Sequence, residues 1–195
     1  MTGLVLAAGA SRRLGQPKQL LPYRGTTVLG AVLDMARSCG FNQLCVTVGG
    51  ASAEVRDGVD LRGCVVVEND QYSAGCSSSI SAAIGFVDAK SEGIVLLLGD
   101  QPDVTSTTVM RLLDGAGTSP ISVCRYGDGV GHPFWFGRQV FADLGSLHGD
   151  KAVWKLLESG RYPARQVEIA GNIPLDVDTW EDYEALLAGA AGDRR

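Results

Sequence analysis

A chain of 195 residues, 45% hydrophobic and 20% charged, is long enough to bury one substantial core. Its formal net charge of −5 argues against a nucleic-acid partner, which needs a broad basic surface, and no apolar run approaches the ~20 residues that span a bilayer. The first strand opens at the N-terminus with no basic leader, pointing to a cytoplasmic protein, and the five scattered cysteines, without a C-x-x-C, suggest neither a disulfide framework nor a zinc site.

Residues 4–8 are an apolar run of the length of a strand buried on both faces. The run breaks at Gly9 into a small, polar loop that carries Arg12, Arg13 and Lys18 in an otherwise acidic chain. A buried strand opening into such a loop presents free backbone N–H groups to a phosphate; the same text also reads as a solvated turn. Two common phosphate loops are excluded. Gly9 to Gly15 holds one residue too many for G-x-x-x-x-G-K-[ST], and Ser11 and Leu14 break G-x-G-x-x-G.

A turn-rich bridge at residues 20–25 leads into a helix over 27–39, where Val28, Val32, Met35 and Cys39 recur at helical spacing ahead of Gly40. Residues 44–48 form a second strand closed by Gly49-Gly50, 52–58 a short helix, and 64–67 a third strand ending in Glu68-Asn69. This βαβα order implies a parallel sheet between two helical layers. Ligands of such sheets bind outside the carboxyl ends of the strands, where Gly9, Gly49 and Asn69 fall.

A polar loop, residues 70–79, enters a helix with Ile80, Ala83, Ile84 and Val87 on one face, which puts Ser77, Ser78 and Ser79 at the helix N-terminus. There they either cap the helix or meet a ligand. Residues 94–98 are the most apolar run, a central strand that stops at Gly99-Asp100-Gln101-Pro102. A carboxylate at the end of a buried strand needs a partner. A divalent cation suits it, and so does a role capping the next turn.

A helix over 107–113 turns Val109, Leu112 and Leu113 inward, and residues 121–124 are another strand. A loop from Arg125 then runs through His132-Pro133 into an aromatic strand ending at Phe136. Residues 138–144 read as helical, and His148 to Lys151 open a further helix with Val153, Leu156 and Leu157 on its apolar face, Asp150 charging its start. A late strand at 167–169 precedes residues 173–179, where alternation sets Asp176 and Asp178 on one side of an extended strand; Asp176 also reads as a turn residue. Thr179 and Asp182 form a capping box for a last helix facing inward through Trp180, Tyr183, Leu186 and Leu187. The Gly/Ala-rich tail from Ala188 is expected to fray. No linker or repeat divides the chain, so residues 1–195 are expected to form one domain.

Three segments now fall together in order: L-A-A-G-x-S-x-R-x-G-x-P-K from Leu6 to Lys18, G-D-Q-P from Gly99 to Pro102, and D-V-D-T from Asp176 to Thr179. They resemble the MobA-like nucleotidyltransferases, and among them most the molybdenum cofactor cytidylyltransferases, over residues 4–183. The resemblance implies an α/β fold, three layers with a mostly parallel sheet and helices on both faces, of the Rossmann-like nucleotide-diphospho-sugar transferase type. It implies that Leu6, Ala7, Ala8, Gly9, Ser11, Arg12 and Lys18, with Ser77, Ser78 and Ser79, bind the nucleotide. Arg12, Lys18 and Asp100 would carry catalysis, Asp100 and Asp178 would hold Mg²⁺, and Gln101, His132 and Pro133 would meet the acceptor. Guanylyl-transferring relatives tend to carry L-A-G-G, so Ala8 favours CTP. The implied acceptor is molybdopterin or its metal-bearing form, with a molybdenum hydroxylase as recipient. Gly149-Asp150-Lys151-Ala152 departs from the family's G-D-x-G-A, and Trp180 replaces a proline. Two other readings stand beside this one: a sugar-phosphate nucleotidyltransferase, and a non-catalytic protein that binds and delivers the finished cofactor. A nicotinamide-dependent reductase ranks last, for want of a dinucleotide fingerprint.

Overall fold

In the computed structural model, which describes residues 1–149 and 151–192, the apolar runs become the middle of a seven-stranded sheet. The chain runs β1 (Thr2–Leu6), a small hairpin of β2 (Pro22–Tyr23) and β3 (Thr26–Thr27), α1 (Val28–Ser38), β4 (Gln43–Val48), α2 (Ser52–Gly58), β5 (Cys64–Glu68), α3 (Cys76–Ile84), β6 (Gly93–Leu98), α4 (Ser106–Ala116), β7 (Ile121–Tyr126), β8 (Gly129–Gly137), α5 (Phe141–Gly145), α6 (Ala152–Glu158), β9 (Ala164–Glu168) and α7 (Trp180–Gly192). The sheet order is β5-β4-β1-β6-β8-β7-β9. Every neighbouring pair is parallel except those made by β8, which runs against both β6 and β7. The tight turn at Gly127-Asp128 dictates that reversal, since only antiparallel strands can be joined by so few residues.

Period-two alternation divides the strands between two cores. Val5, Leu44, Val46, Val95 and Leu97 face one layer with Leu29, Leu33, Val109 and Leu112 of α1 and α4. Leu4, Cys45, Ile94, Leu96, Phe134 and Phe136 face the other with Ile80, Phe141, Leu144 and Val153 of α3, α5 and α6. Sheets covered on both faces need strands apolar at every position, which is why the runs looked continuous in the sequence. Thr27 and Thr105 cap α1 and α4, their hydroxyls accepting from the N–H of Gly30 and Thr108 at 3.0 and 3.1 Å. Among the described residues, no helix is long and apolar enough to cross a membrane.

A third apolar cluster lies at the strand ends. Leu14 of the first loop, Leu21, Tyr23 and Val28 pack against Val177 and against Leu186 and Ala190 of α7. It fastens the first loop to the last helix, so residues 11–14 and 176–178 meet although most of the chain separates them.

Several boundaries differ from the sequence reading. β1 ends at Leu6, because Ala7 N–H turns to Thr47 O at 3.1 Å while Gly99 N–H takes Leu6 O at 2.8 Å. The bridge after the loop holds a real hairpin, turned by Arg24 and Gly25 at positive φ. Residues 173–179 are extended but are not a strand; Val177 N–H bonds Asp100 O at 3.1 Å and the segment joins no ladder. Past Ala188, where composition favours fraying, α7 continues to Gly192 with Ala190 buried in the third cluster. Asp150 and residues 193–195 lie outside the described residues.

Phe136 is fully buried on β8, between the sheet and α5. Phe136→Ala is expected to cost about 3–5 kcal/mol, seen as a lower urea midpoint at unchanged m-value.

Candidate active site

The strand order reverses beside β1: the chain moves outward to β4 and β5, then returns to lay β6 on the other side. A crevice outside the carboxyl ends of the strands follows from that topology. It is a cavity of about 740 Å³ lined by Leu6 to Gly9, Arg13, Lys18, Gln19, Asp100, Gln101, His132, Asp176 and Asp178, with Tyr72, Ser79 and Trp154 among its walls.

At its centre the Lys18 ammonium lies between two carboxylates. Its Nζ donates to Asp100 Oδ2 and to Asp178 Oδ1, the latter at 2.7 Å. Arg13 adds a guanidinium bond to Asp178 Oδ2 at 2.6 Å. The Lys18 side chain is only 12% exposed. Burial alone would lower its pKa, but Asp100 and then Asp178 outweigh burial and raise it above the ordinary value. Asp178 is penalised by burial too, yet Lys18 and Arg13 hold it below the usual carboxylate range.

Asp176 behaves oppositely. Partial burial, with Asp100 and Asp178 close by, pushes its carboxyl up to about 6. Asp100 and Asp178 share one buried cation, Asp178 also takes a rim guanidinium, and Asp176 lies beside them without an ion pair. A hard-oxygen donor set with an ammonium standing where a cation is wanted fits a divalent ion such as Mg²⁺ or Mn²⁺.

Before the lysine, the loop shows its amides. Among the described residues, the N–H groups of residues 8–13 bond to no protein acceptor, while the carbonyls of Ala7, Gly9 and Ser11 all do. Ser11 sits at φ +51, an unusual left-handed conformation, and its Oγ accepts from Lys18 N–H at 2.9 Å. Runs of unbonded amides beside cations make an anion-binding concavity.

Other expected residues divide. Ser79 lines the cavity, but Ser77 and Ser78 face a neighbouring cleft of about 450 Å³. The Asn69 amide reaches both Ser78 Oγ and Ser79 Oγ at 2.9 Å, so these serines also brace the loop. Arg12 is exposed and does not line the cavity; its neighbour Arg13 does. His132 lines it and stacks on Phe134 with ring centroids 4.1 Å apart. Burial pushes this imidazole down to about 4, so it is neutral near pH 7. Pro133 is buried behind it, after a cis peptide bond. Gln101 is 2% exposed; its Nε2 donates to Pro174 O at 3.1 Å, and its Oε1 is buried with no hydrogen-bond partner.

Three lining residues carry no site role in the sequence reading. Arg13 was indistinguishable from Arg12 by composition. Gln19, lying ahead of two leucines, carried only the weak signal of a polar residue entering an apolar stretch. Asp176 shared the alternation of Asp178; the structure turns it to the cavity, where the Gln101 side chain bonds it, rather than into a backbone turn.

Residues 3–167 match the family described as the MobA-like NTP transferase domain. The solved structure of Rv0371c from Mycobacterium tuberculosis H37Rv is 56% identical, with a TM-score of 0.91 over 96% of this chain and 97% of that one. A complex of Rv0371c with manganese gives 54% and 0.85 over the same shares. Nicotine blue oxidoreductase of Paenarthrobacter nicotinovorans is 35% identical over 127 residues, 65% of this chain and 62% of its own length. Bifunctional protein GlmU of Cupriavidus necator is 32% identical over 149 residues, 75% of this chain but 32% of its own length. The chain thus spans about three fifths of the first relative and a third of the second. Purine catabolism protein PucB of Bacillus subtilis is 27% identical over 95% of each chain.

Two outcomes follow from these charges. Lys18→Met leaves Asp100 and Asp178 without their shared cation and is expected to destabilise the fold by about 1–3 kcal/mol. Thermal unfolding should then show a larger rescue by Mn²⁺ than the wild-type protein shows. Asp176 has a folded pKa of about 6 against 3.8 for the free group, so the folded state binds more protons than the unfolded one between those values. Its penalty is fully present above pH 6 and relieved as pH falls through that window. Asp176→Asn, unfolded in EDTA, should raise the thermal midpoint at pH 7.5 and lose that advantage by pH 4.

Proposed function

Because the chain belongs to the MobA-like NTP transferase family, we propose that it transfers CMP from CTP onto the terminal phosphate of a pterin-type acceptor, such as molybdopterin or its metal-bearing form, and releases pyrophosphate. The observation that carries this reading is one juxtaposition. The loop with unbonded amides at residues 8–13 lines, through Ala8, Gly9 and Arg13, the same cavity as Lys18, Asp100 and Asp178.

The reaction asks little covalent chemistry of the protein. An acceptor phosphate oxygen attacks the α-phosphorus. As that P–O bond forms, the bond to the bridging oxygen breaks and its electron pair leaves with pyrophosphate. The attacking oxygen is already ionised near neutral pH, so no protein base is needed; catalysis consists of placement and charge neutralisation. The loop amides would bind the phosphates. Lys18 and Arg13, with Arg12 at the exposed rim, would offset charge growing on the leaving group. Asp100 and Asp178 would hold Mg²⁺, which when bound supplies charge neutralisation and in-line orientation. Lys18 would then turn from the carboxylates to the phosphates.

The preference for CTP is supported by Ala8. A side chain on Gly49 would meet Ala8 O at 2.8 Å, Tyr72 Cβ at 2.8 Å and Ala8 Cβ at 3.0 Å. The Ala8 methyl therefore packs close beside Gly49, leaving no room there for a further side chain. A pterin-type acceptor is supported by the opposite wall. Val130, the neutral His132 and Trp154 make it apolar and aromatic. That wall suits a flat heterocycle better than a polyhydroxylated sugar.

The similarity to GlmU favours a second reading, a sugar-phosphate acceptor. Pyrophosphate release measured with four nucleoside triphosphates, against molybdopterin and a set of sugar 1-phosphates, separates the two. Release with CTP and molybdopterin is expected. Consumption of a sugar phosphate instead would support the second reading. Tight cofactor binding without release would favour delivery to a molybdenum hydroxylase, and turnover of a nicotinamide cofactor alone would favour redox chemistry. Asp100→Asn should lower release by about a hundredfold or more while circular dichroism still shows a folded chain; near-normal turnover would remove Asp100 from the proposed site.

A further inference from the structure

Gln19 is a buried polar side chain, 2% exposed, that every bond turns toward the first loop. Its Nε2 donates to Ala7 O at 2.8 Å and to Gly9 O at 2.9 Å, using both N–H groups. Its Oε1 accepts from Ser11 Oγ at 3.4 Å, and Ser11 Oγ in turn accepts from Lys18 N–H. One amide side chain therefore grips two carbonyls of the loop and is itself oriented by a third loop residue. Farther on, Ser11 O is taken by the N–H groups of Leu14 and Gly15 at 3.1 and 3.2 Å.

A trans peptide carries its C=O and the next residue's N–H on opposite sides. Tying Ala7 O inward therefore points Ala8 N–H outward, and tying Gly9 O inward points Ala10 N–H outward. Tying Ser11 O does the same for Arg12 N–H. Alternate peptides of the loop are locked with their donors away from the protein, and the donors of residues 8–13 have no protein partner. Ala7 itself shows the contrast: its N–H is consumed by Thr47 O, and it belongs to the sheet side of the boundary.

We propose that Gln19 is the positioning residue of the anion loop, its amide holding the Ala7 and Gly9 carbonyls so that the Ala8 and Ala10 N–H groups meet phosphate. The proposal rests on the triphosphate reading above and deepens it. Gln19 touches no reacting atom; it fixes the direction of dipoles that do. Without its two donors, either peptide can flip, and an outward carbonyl then faces the phosphates. Preorganised donors act because they need no reorientation when charge arrives.

The test uses inorganic pyrophosphate and CTP as probes. Gln19→Met keeps the side-chain volume and removes both donors. By calorimetry it should weaken pyrophosphate and CTP by about tenfold or more, while Mn²⁺ alone, titrated by electron paramagnetic resonance, binds within about twofold of wild type. Equal weakening of Mn²⁺ and pyrophosphate, or unchanged pyrophosphate affinity, would overturn the assignment. Because that variant can fail to fold, the wild-type protein gives a second readout. On adding pyrophosphate, the amide resonances of Ala8, Ala10 and Arg12 should shift most, with Gly9 and Ser11 moving less and Ala7 least. The largest shifts at Gly9 and Ser11 would overturn the clamp alone. A wild-type protein that binds no pyrophosphate would overturn the triphosphate reading and the clamp together.

Discussion

Two carboxylates far apart in the sequence, one mid-chain and one near its end, share one ammonium. Asp100 ends β6, Asp178 precedes α7 and Lys18 follows the first loop, and all three are held within hydrogen-bond reach. Left without a cation, two such carboxylates would repel each other in a partly buried site. The pairing thus decides which arrangement of the three segments is stable. It cannot decide alone, because buried ion pairs contribute little net stability once desolvation is counted. The third apolar cluster supplies the rest. Val177, fully buried between the two exposed-facing aspartates, packs with Leu14 and Leu186 and bonds Asp100 O through its amide. Burial of that valine aims its two neighbours at the cavity, so the direction of the carboxylates is set by hydrophobic packing and their charge is answered by Lys18.

The loop at the other side of the cavity follows the same division of labour. Carbonyls are tied to the protein and amides are left over, a distribution that only costs stability if nothing binds there. Exposed at the cavity, those amides cost little in water and are well placed for an anion. The unusual φ of Ser11 belongs to this arrangement, since the turn there lets one hydroxyl bond Lys18 N–H and face Gln19 at once.

Much of this was legible in the residues. The central strands announced themselves because both faces are covered, leaving no polar alternation to confuse the pattern. Gly9 and Asp100 were legible because each follows an apolar run, and strand ends converge by topology, whereas Asp178 was legible through its alternation with Val177 and the D-V-D-T resemblance. What could not be read was direction. Arg12 and Arg13 are chemically alike and adjacent in a loop with no period, so only the fold distinguishes them. The three serines have the same difficulty: one helical turn spreads them around an axis, and Ser79 alone reaches the cavity. The reversal of β8 depends on a short turn rather than on the strand itself, and the missing strand at residues 173–179 reflects the lack of a neighbour to pair with, despite its alternation. Gln19 carries no sequence signature, because its role lies in what it bonds.

The pairing of Lys18 also bears on how the site fills. On the proposed reading, a divalent ion at Asp100 and Asp178 would compete with the Lys18 ammonium, because the same carboxylate oxygens would serve both. A metal arriving alone must displace Lys18, leaving a cation 12% exposed with nothing to pair with. A metal arriving with phosphates brings the lysine a new partner, and the loop amides lie on the side to which it would turn. If the proposed site holds both, metal and polyphosphate would favour each other's binding through one side chain, by linkage. The same logic explains why Asp176 is left over. It is the carboxylate to which neither Lys18 nor Arg13 makes an ion pair, and burial first, then the neighbouring Asp100 and Asp178, pushes its carboxyl up. A cavity in that state repels free anions from its carboxylate side and admits them along the loop, which is the side where amides and arginines wait.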